Sequence, residues 1–177
     1  GNNAAIGNGA LRCNVDGCYN FAGFDALYHS TSGCYNTAIG RLALYSNTTG
    51  CHNNAFGCGA LYNNTTAGCN TAIGLQPLHS NTTGCQNAAI GNSALRNNTT
   101  GNYNNALGCG ALCGNTTGDY NTAIGRDALK TSLSGDYNFA AGSSALYSNW
   151  GGTYNHAIGS QALCTNTTGH YNNALGG

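Results

Sequence analysis

Charge is what this sequence has least of. Only 6% of its 177 residues are charged, against roughly 25% in an ordinary soluble domain. The formal net charge is zero, so partners held by long-range electrostatics, nucleic acid and anionic membrane surfaces alike, are not expected. There is a single proline, Pro77, and the 28 glycines follow no collagen period, which excludes collagen and polyproline structure. No apolar run approaches the ~20 residues of a membrane span, and no signal peptide is visible. Methionine is absent, so the sequence reads as a processed chain or a segment of a longer one.

Chemistry-bearing motifs are missing too. There is no G-x-S-x-G elbow and no phosphate-binding loop. No C-x-x-C or H-x-x-x-H spacing suggests a metal, and the calcium-binding glycine-rich nonapeptide is absent. The histidines His29, His52, His79, His156 and His170 form no ladder of their own. The acidic residues are Asp16, Asp25, Asp119, Asp127 and Asp136, too few for carboxylate catalysis along the chain. Asp119 and Asp136 stack in one column of the repeat described next, a place for a cation or for water. No catalytic residue, metal or cofactor is expected, and the chain reads as a non-enzyme.

What the chain has is repetition. "SNTTGCHNNAFGCGAL" at 46–61, "SNTTGCQNAAIGNSAL" at 80–95 and "GNTTGDYNTAIGRDAL" at 114–129 are nearly one string. The glycine closing the A-I-G step recurs at Gly7, Gly23, Gly40, Gly57, Gly74, Gly91, Gly108, Gly125, Gly142, Gly159 and Gly176, every 17 residues after a first interval of 16. The short interval lies in "NFAGFDAL" at 20–27, which lacks the apolar residue before its glycine. The unit is N-x-A-[IFL]-G-x-x-A-L-x-x-N-T-T-G-x-x, and residues 1–177 form a single array of it.

A unit of 17 is too short for the helical-pair repeats, whose periods are about 33 or more. Its glycines and N-T-T-G run also oppose helix. The expected fold is all-β: a parallel β-solenoid or β-roll of about ten coils. Each coil is expected to hold two short strands, N-x-A-I and x-A-L-x-x. Coils rising about 4.8 Å each would build a rod of roughly 50 Å.

In such a fold equivalent residues stack. The invariant column is asparagine: Asn3, Asn20, Asn36, Asn53, Asn70, Asn87, Asn104, Asn121, Asn138, Asn155 and Asn172. An amide both donates and accepts, so a structural ladder is expected. Leucine, from Leu11 to Leu163, and alanine, broken only by Pro77, supply the core. Adjacent strand residues face opposite ways. An Ala-Ile pair in regular strand therefore leaves one apolar side chain outside, unless a corner at the glycine turns both inward. Four apolar side chains per coil make a thin core, which favours a homo-oligomer: a trimer, a bundle or an end-to-end filament. The chain begins just after a turn position and stops in mid-repeat, so either the array continues or copies stack end to end.

All 11 tyrosines fall in two columns. Tyr19, Tyr35, Tyr103, Tyr120, Tyr137, Tyr154 and Tyr171 precede the ladder asparagine; Tyr28, Tyr45, Tyr62 and Tyr147 follow the leucine. Stacking between coils is expected. The run Tyr103, Tyr120, Tyr137, Tyr154 and Tyr171 is also a candidate glycan-contact strip, which makes surface glycans a candidate partner.

The ten cysteines point to an oxidising, extracellular setting. Cys18, Cys34, Cys51 and Cys85 share one column, with Cys69 one place off it. Neighbouring coils lie about 4.8 Å apart, inside the disulfide range, so Cys18–Cys34 and Cys69–Cys85 are candidate bridges. Cys58 and Cys109, like Cys113 and Cys164, lie three coils apart, too far to bridge within one chain. Candidate N-glycosylation sites of the N-x-[ST] form begin at Asn47, Asn64, Asn81, Asn98, Asn115 and Asn166, and at the overlapping Asn63 and Asn97.

The motif N-x-A-I-G-x-x-A, as in "NTAIGLQP" from Asn70, "NAAIGNSA" from Asn87 and "NTAIGRDA" from Asn121, resembles the head repeats of trimeric autotransporter adhesins. The longer string "TTGDYNTAIGRDAL" at 116–129 resembles 17-residue repeats of tail-fibre-like surface proteins. The first resemblance implies a left-handed roll associating in threes, with the extra residues of this unit in the N-T-T-G loop. Together they imply an extracellular or virion-surface fibre. A structural fibre element is the leading expectation. The alternatives are an adhesin shaft and an ice-binding solenoid, although the paired threonines, such as Thr82 and Thr83, are adjacent rather than T-x-T.

Overall fold

Each N-x-A-I segment forms a strand because a β-branched or apolar residue alternates there with a small one, while glycine and asparagine stop it on either side. In a computed structural model describing residues 1–176, eleven such strands follow in order: β1 (Ala4–Ala5), β2 (Phe21–Ala22), β3 (Thr37–Ile39), β4 (Asn54–Phe56), β5 (Thr71–Ile73), β6 (Ala88–Ile90), β7 (Asn105–Leu107), β8 (Thr122–Ile124), β9 (Phe139–Ala141), β10 (His156–Ile158) and β11 (Asn173–Leu175). They pair in parallel, each with its sequence neighbour, in one sheet ordered β1 to β11. Alanine faces alanine at every step, as in Ala72↔Ala89↔Ala106↔Ala123. This is a parallel β-solenoid of about ten 17-residue coils. No helix among the described residues is long and apolar enough to cross a membrane.

Among the described residues the second expected strand is absent. Residues around the A-L pair form turns, because leucine takes the left-handed conformation in every coil, for example Leu61 at φ 53° and Leu95 at φ 50°. That conformation costs a non-glycine residue roughly 1–2 kcal/mol. Coil-to-coil hydrogen bonds hold it nonetheless: Leu44 N–H donates to Ala60 O at 2.9 Å, and Leu95 N–H to Ala111 O at 2.9 Å. The left-handed step turns each leucine inward, and Leu27 through Leu146 are fully buried.

The core is narrow. Each complete interior coil buries its strand alanine, its second alanine or Pro77, its leucine, and two polar side chains. The first polar position is the expected asparagine ladder. Asn87 Nδ2 donates to Gly101 O at 2.8 Å, and Asn87 Oδ1 accepts Asn104 N–H at 2.9 Å. The same pattern runs through the array, so every interior ladder amide ties a corner of its own coil to its neighbour.

The second position is the asparagine of N-T-T-G, and it forms a ladder that sequence reading missed. Asn64 Nδ2 donates to Asn47 Oδ1 at 2.9 Å and to Ala67 O at 3.0 Å. Asn81, Asn98 and Asn115 each repeat the step at 2.8–2.9 Å. Serine replaces asparagine at Ser30 and Ser132, and there the ladder breaks. Asn14 Oδ1, Ser30 Oγ, Asn115 Oδ1 and Ser132 Oγ are buried without a partner.

A repair is therefore testable. Ser132→Asn should give Asn115 Oδ1 its donor and raise stability by about 1–2 kcal/mol, since an unsatisfied buried polar atom costs about that much. Urea unfolding reads the change. No gain, or a loss, would mean that the break is already relieved by the local structure.

Glycine is required where coils approach most closely. At Gly91, φ is 134° and an added Cβ would lie 2.6 Å from Gly108 O. Gly74 is alike, at φ 133° and 2.7 Å from Gly91 O.

Candidate functional site

With the interior filled by alanine, leucine and asparagine, any function lies on the outer columns. The strand face carries the first. The burial pattern within strands places alanine inside and its neighbours outside, so the regular alternation holds and the glycine corner does not turn both side chains inward. Ile39, Phe56, Ile73, Ile90, Leu107, Ile124 and Ile158 are 36–49% exposed. Beside them on the same face stand Thr37, Asn54, Thr71, Ala88, Asn105 and Thr122. No Lys, Arg, Asp or Glu occurs in any of the eleven strands. A shallow groove of about 230 Å³ lies among Ala88, Ile90, Leu107, Thr122 and Ile124. The stripe is interrupted at β2, which lacks the apolar residue, and weakened at Ala141.

The tyrosines stack as expected. Ring centroids along Tyr103, Tyr120, Tyr137, Tyr154 and Tyr171 are 4.7, 4.9, 4.9 and 5.1 Å apart, with planes within 4° of parallel. Tyr19, Tyr35 and His52 continue the column on the early coils, and Tyr28, Tyr45, Tyr62 and His79 form the second stack. This geometry changes the glycan-contact reading. A sugar stacks on an open ring face, and here each interior ring face is covered by its neighbours. The strip presents ring edges and hydroxyls instead. Burial and the neighbouring phenols Tyr154 and Tyr120 push the Tyr137 hydroxyl above its ordinary pKa.

The cysteines are free thiols. Cys18 Sγ and Cys34 Sγ touch at 2.7 Å. The hydrogen bond to Cys34, then burial, pushes the Cys18 thiol up. Neither candidate bridge is closed, and the second pair is not in contact through its thiols. Cys69 sits in the tyrosine column, exposed and left-handed at φ 61°, while Cys85 Sγ accepts Gly68 N–H at 3.5 Å.

The cysteine column has a use that its residue types could have revealed. From Cys34 on, each Cys, Asn, Asp or His of the column accepts a backbone N–H from the coil before, as in Cys51 Sγ from Cys34 at 3.1 Å, Asn102 Oδ1 from Cys85 at 2.9 Å, Asp119 Oδ1 from Asn102 at 2.6 Å and Asp136 Oδ1 from Asp119 at 2.8 Å, while Gly68 and Thr153 also stand in the column. Cys, Asn, Asp and His are interchangeable there because all are short acceptors. The Asp119–Asp136 pair is used in this way. No cluster of three metal-binding groups exists among the described residues.

The sequon reading needs correction. Asn47, Asn64, Asn81, Asn98 and Asn115 are fully buried, and their Nδ2 groups point into the core as donors. They cannot carry glycans in the folded coil. Asn166 is half-buried and its Nδ2 also donates, to Asn149 Oδ1 at 3.0 Å and Gly169 O at 3.1 Å. Asn63 is half-buried and Asn97 exposed. In every N-T-T-G but the last, the first threonine commits its hydroxyl to the next coil, as in Thr82 Oγ1 to Thr99 O at 3.0 Å. Apart from Thr167 on the last coil, only the second threonine of these runs is exposed, so the pairs build no two-rank array of free hydroxyls.

The thiol contact gives a direct prediction. Oxidised glutathione should close Cys18–Cys34 before any other pair, with the rate rising towards alkaline pH as the raised thiol ionises. Closing a 16-residue span should stabilise the chain by about 3 kcal/mol. Non-reducing peptide mapping reads the pairing; a dominant bridge elsewhere would contradict this placement.

Comparison with family models, with curated proteins and with solved structures finds no match to this chain.

Proposed function

We propose that the chain is a shaft element of an extracellular fibre, in which rods of stacked coils lie side by side through the strand face. The observation that carries this reading is the exposed Ile/Leu/Phe stripe on a face without a charged residue. Sheet faces and edges that stay alone in water are ordinarily protected by charge, lysine above all, and apolar patches of this continuity ordinarily mark interfaces. The rest of the molecule suits a shaft. Its core is too narrow to enclose a ligand, and its hydrogen bonds are spent joining coil to coil. The proposed partner is a second copy of the same chain, and the proposed place is outside the cell, where a thiol pair such as Cys18 and Cys34 can be oxidised.

An adhesive role through stacked tyrosines finds less support, because the interior ring faces are covered. Sedimentation velocity over low to high micromolar concentration tests the proposal. Concentration-dependent growth of elongated species is expected. A single rod-shaped monomer throughout would count against it.

A further inference from the structure

The lateral contact leaves the longest tyrosine column unused. Five phenols, Tyr103 to Tyr171, stand on successive coils. Their backbones are fixed: Tyr120 N–H donates to Asn102 O at 3.0 Å, and Tyr137 N–H to Asp119 O at 3.1 Å. Their rings are parallel and 4.7–5.1 Å apart. Their edges are open, with exposures of 43–72%. None of the five hydroxyls has a hydrogen-bond partner among the described residues.

We propose that this column is a site of oxidative modification, in which a peroxidase-type one-electron oxidant and hydrogen peroxide couple neighbouring tyrosines into dityrosine and join coil to coil covalently.

The chemistry balances. Two phenols each give up one electron and one proton to become phenoxyl radicals. The peroxide takes both electrons and both protons, and its O–O bond breaks to give two waters. The radicals carry spin on the carbons ortho to oxygen. Two such carbons form one C–C bond, and the displaced ring hydrogens return to the oxygens as the rings regain aromaticity. The chain loses two hydrogens per cross-link.

Two features favour this column. A radical formed on Tyr120, Tyr137 or Tyr154 has a ring in contact on both sides, so its partner is already placed and the effective concentration is high. The open ring edges carry the ortho carbons, which are the positions that must react. On the earlier coils this column lacks such a run, because His52, Cys69 and Gln86 interrupt it after Tyr35, and the second column offers only the three rings Tyr28, Tyr45 and Tyr62. The modification does not require lateral association and would proceed on a single rod.

The test uses the whole chain at low concentration, its thiols alkylated, treated with a haem peroxidase and hydrogen peroxide. Dityrosine fluorescence and cross-linked peptides are read together. Peptides joining 103 to 120, 120 to 137, 137 to 154 and 154 to 171 within one chain are expected, at a yield per chain that dilution does not change. The double variant Tyr120→Phe/Tyr154→Phe keeps the stacking but leaves no two phenols of the run on neighbouring coils. Its cross-links in this column should fall to background, while those of Tyr28, Tyr45 and Tyr62 persist and show that the oxidant worked. Absence of dityrosine in the native sequence would overturn the proposal. So would cross-links only between chains, or an undiminished yield at Tyr103, Tyr137 and Tyr171 in the variant.

Discussion

Replacing Asn87 by alanine is expected to cost about 3–5 kcal/mol, more than any leucine-to-valine change in the core. The estimate follows from what the amide holds. Without it, Gly101 O loses a donor at 2.8 Å and Asn104 N–H loses its acceptor at 2.9 Å. Both groups lie in a water-free interior, and each costs about 1–3 kcal/mol when left unpaired. The lost side chain also leaves a cavity. Asn87→Asp should be no better, since a carboxylate has no N–H for Gly101 O and would be charged in a buried site. Interior positions such as Asn70 and Asn121 should behave alike, whereas the half-buried Asn3 should cost less. Urea unfolding measures the effect. A loss under about 1 kcal/mol would show that the ladder does not carry the coil-to-coil energy. A solenoid unfolds coil by coil as well as globally, so hydrogen exchange near Asn104 should report the damage locally.

The second large effect concerns the outer face. The triple change Ile73→Lys/Ile90→Lys/Ile124→Lys should abolish the proposed self-association while leaving the fold intact. These side chains are 40–42% exposed in the single rod, so their loss removes little of the core. Lysine keeps a long apolar stem on the strand but places three like charges along the contact. Losing the apolar burial and adding repulsion should weaken association by at least about 3 kcal/mol, roughly two decades in dissociation constant. Sedimentation equilibrium reads the constant, and thermal unfolding of the diluted variant confirms the fold. Unchanged association would place the contact on another column. A matched change at the exposed threonines, Thr49, Thr66 and Thr83, serves as the control and should leave association unaltered.

Much of this architecture is legible in the string because the period does the alignment. Once Gly74, Gly91 and Gly108 are set beneath one another, the asparagine ladder, the leucine core and the tyrosine stacks fall into columns. The alternation rule also puts Ala89 inside and Ile90 outside. What escaped reading depends on backbone conformation rather than on residue pattern. Leucine is a poor candidate for φ near +50°, so nothing about Leu95 announces a turn where a strand is expected; the coil-to-coil bonds impose it. Asn81 was misread for a related reason. In an isolated N-T-T the amide suggests a surface loop, but in a closed coil the turn carbonyl of Gly84 needs a donor from inside, and Asn81 supplies it at 2.9 Å. The substitution of serine alone for asparagine in that column, at Ser30 and Ser132, was the available clue. Surface positions tolerate far more variety. The acceptor role of the cysteine column is likewise visible in its prevailing choice of Cys, Asn, Asp and His, broken by Gly68 and Thr153.

Rods are proposed to meet through the strand face, and end-on cryo-electron microscopy of the assembled material tests this contact most directly. Class averages should show two or more closed solenoid sections with the Ile73, Ile90 and Ile124 columns facing one another and the tyrosine columns outward. Sections that stand alone, or that touch through the tyrosine or N-T-T-G corners while the isoleucine face stays open to solvent, would contradict it.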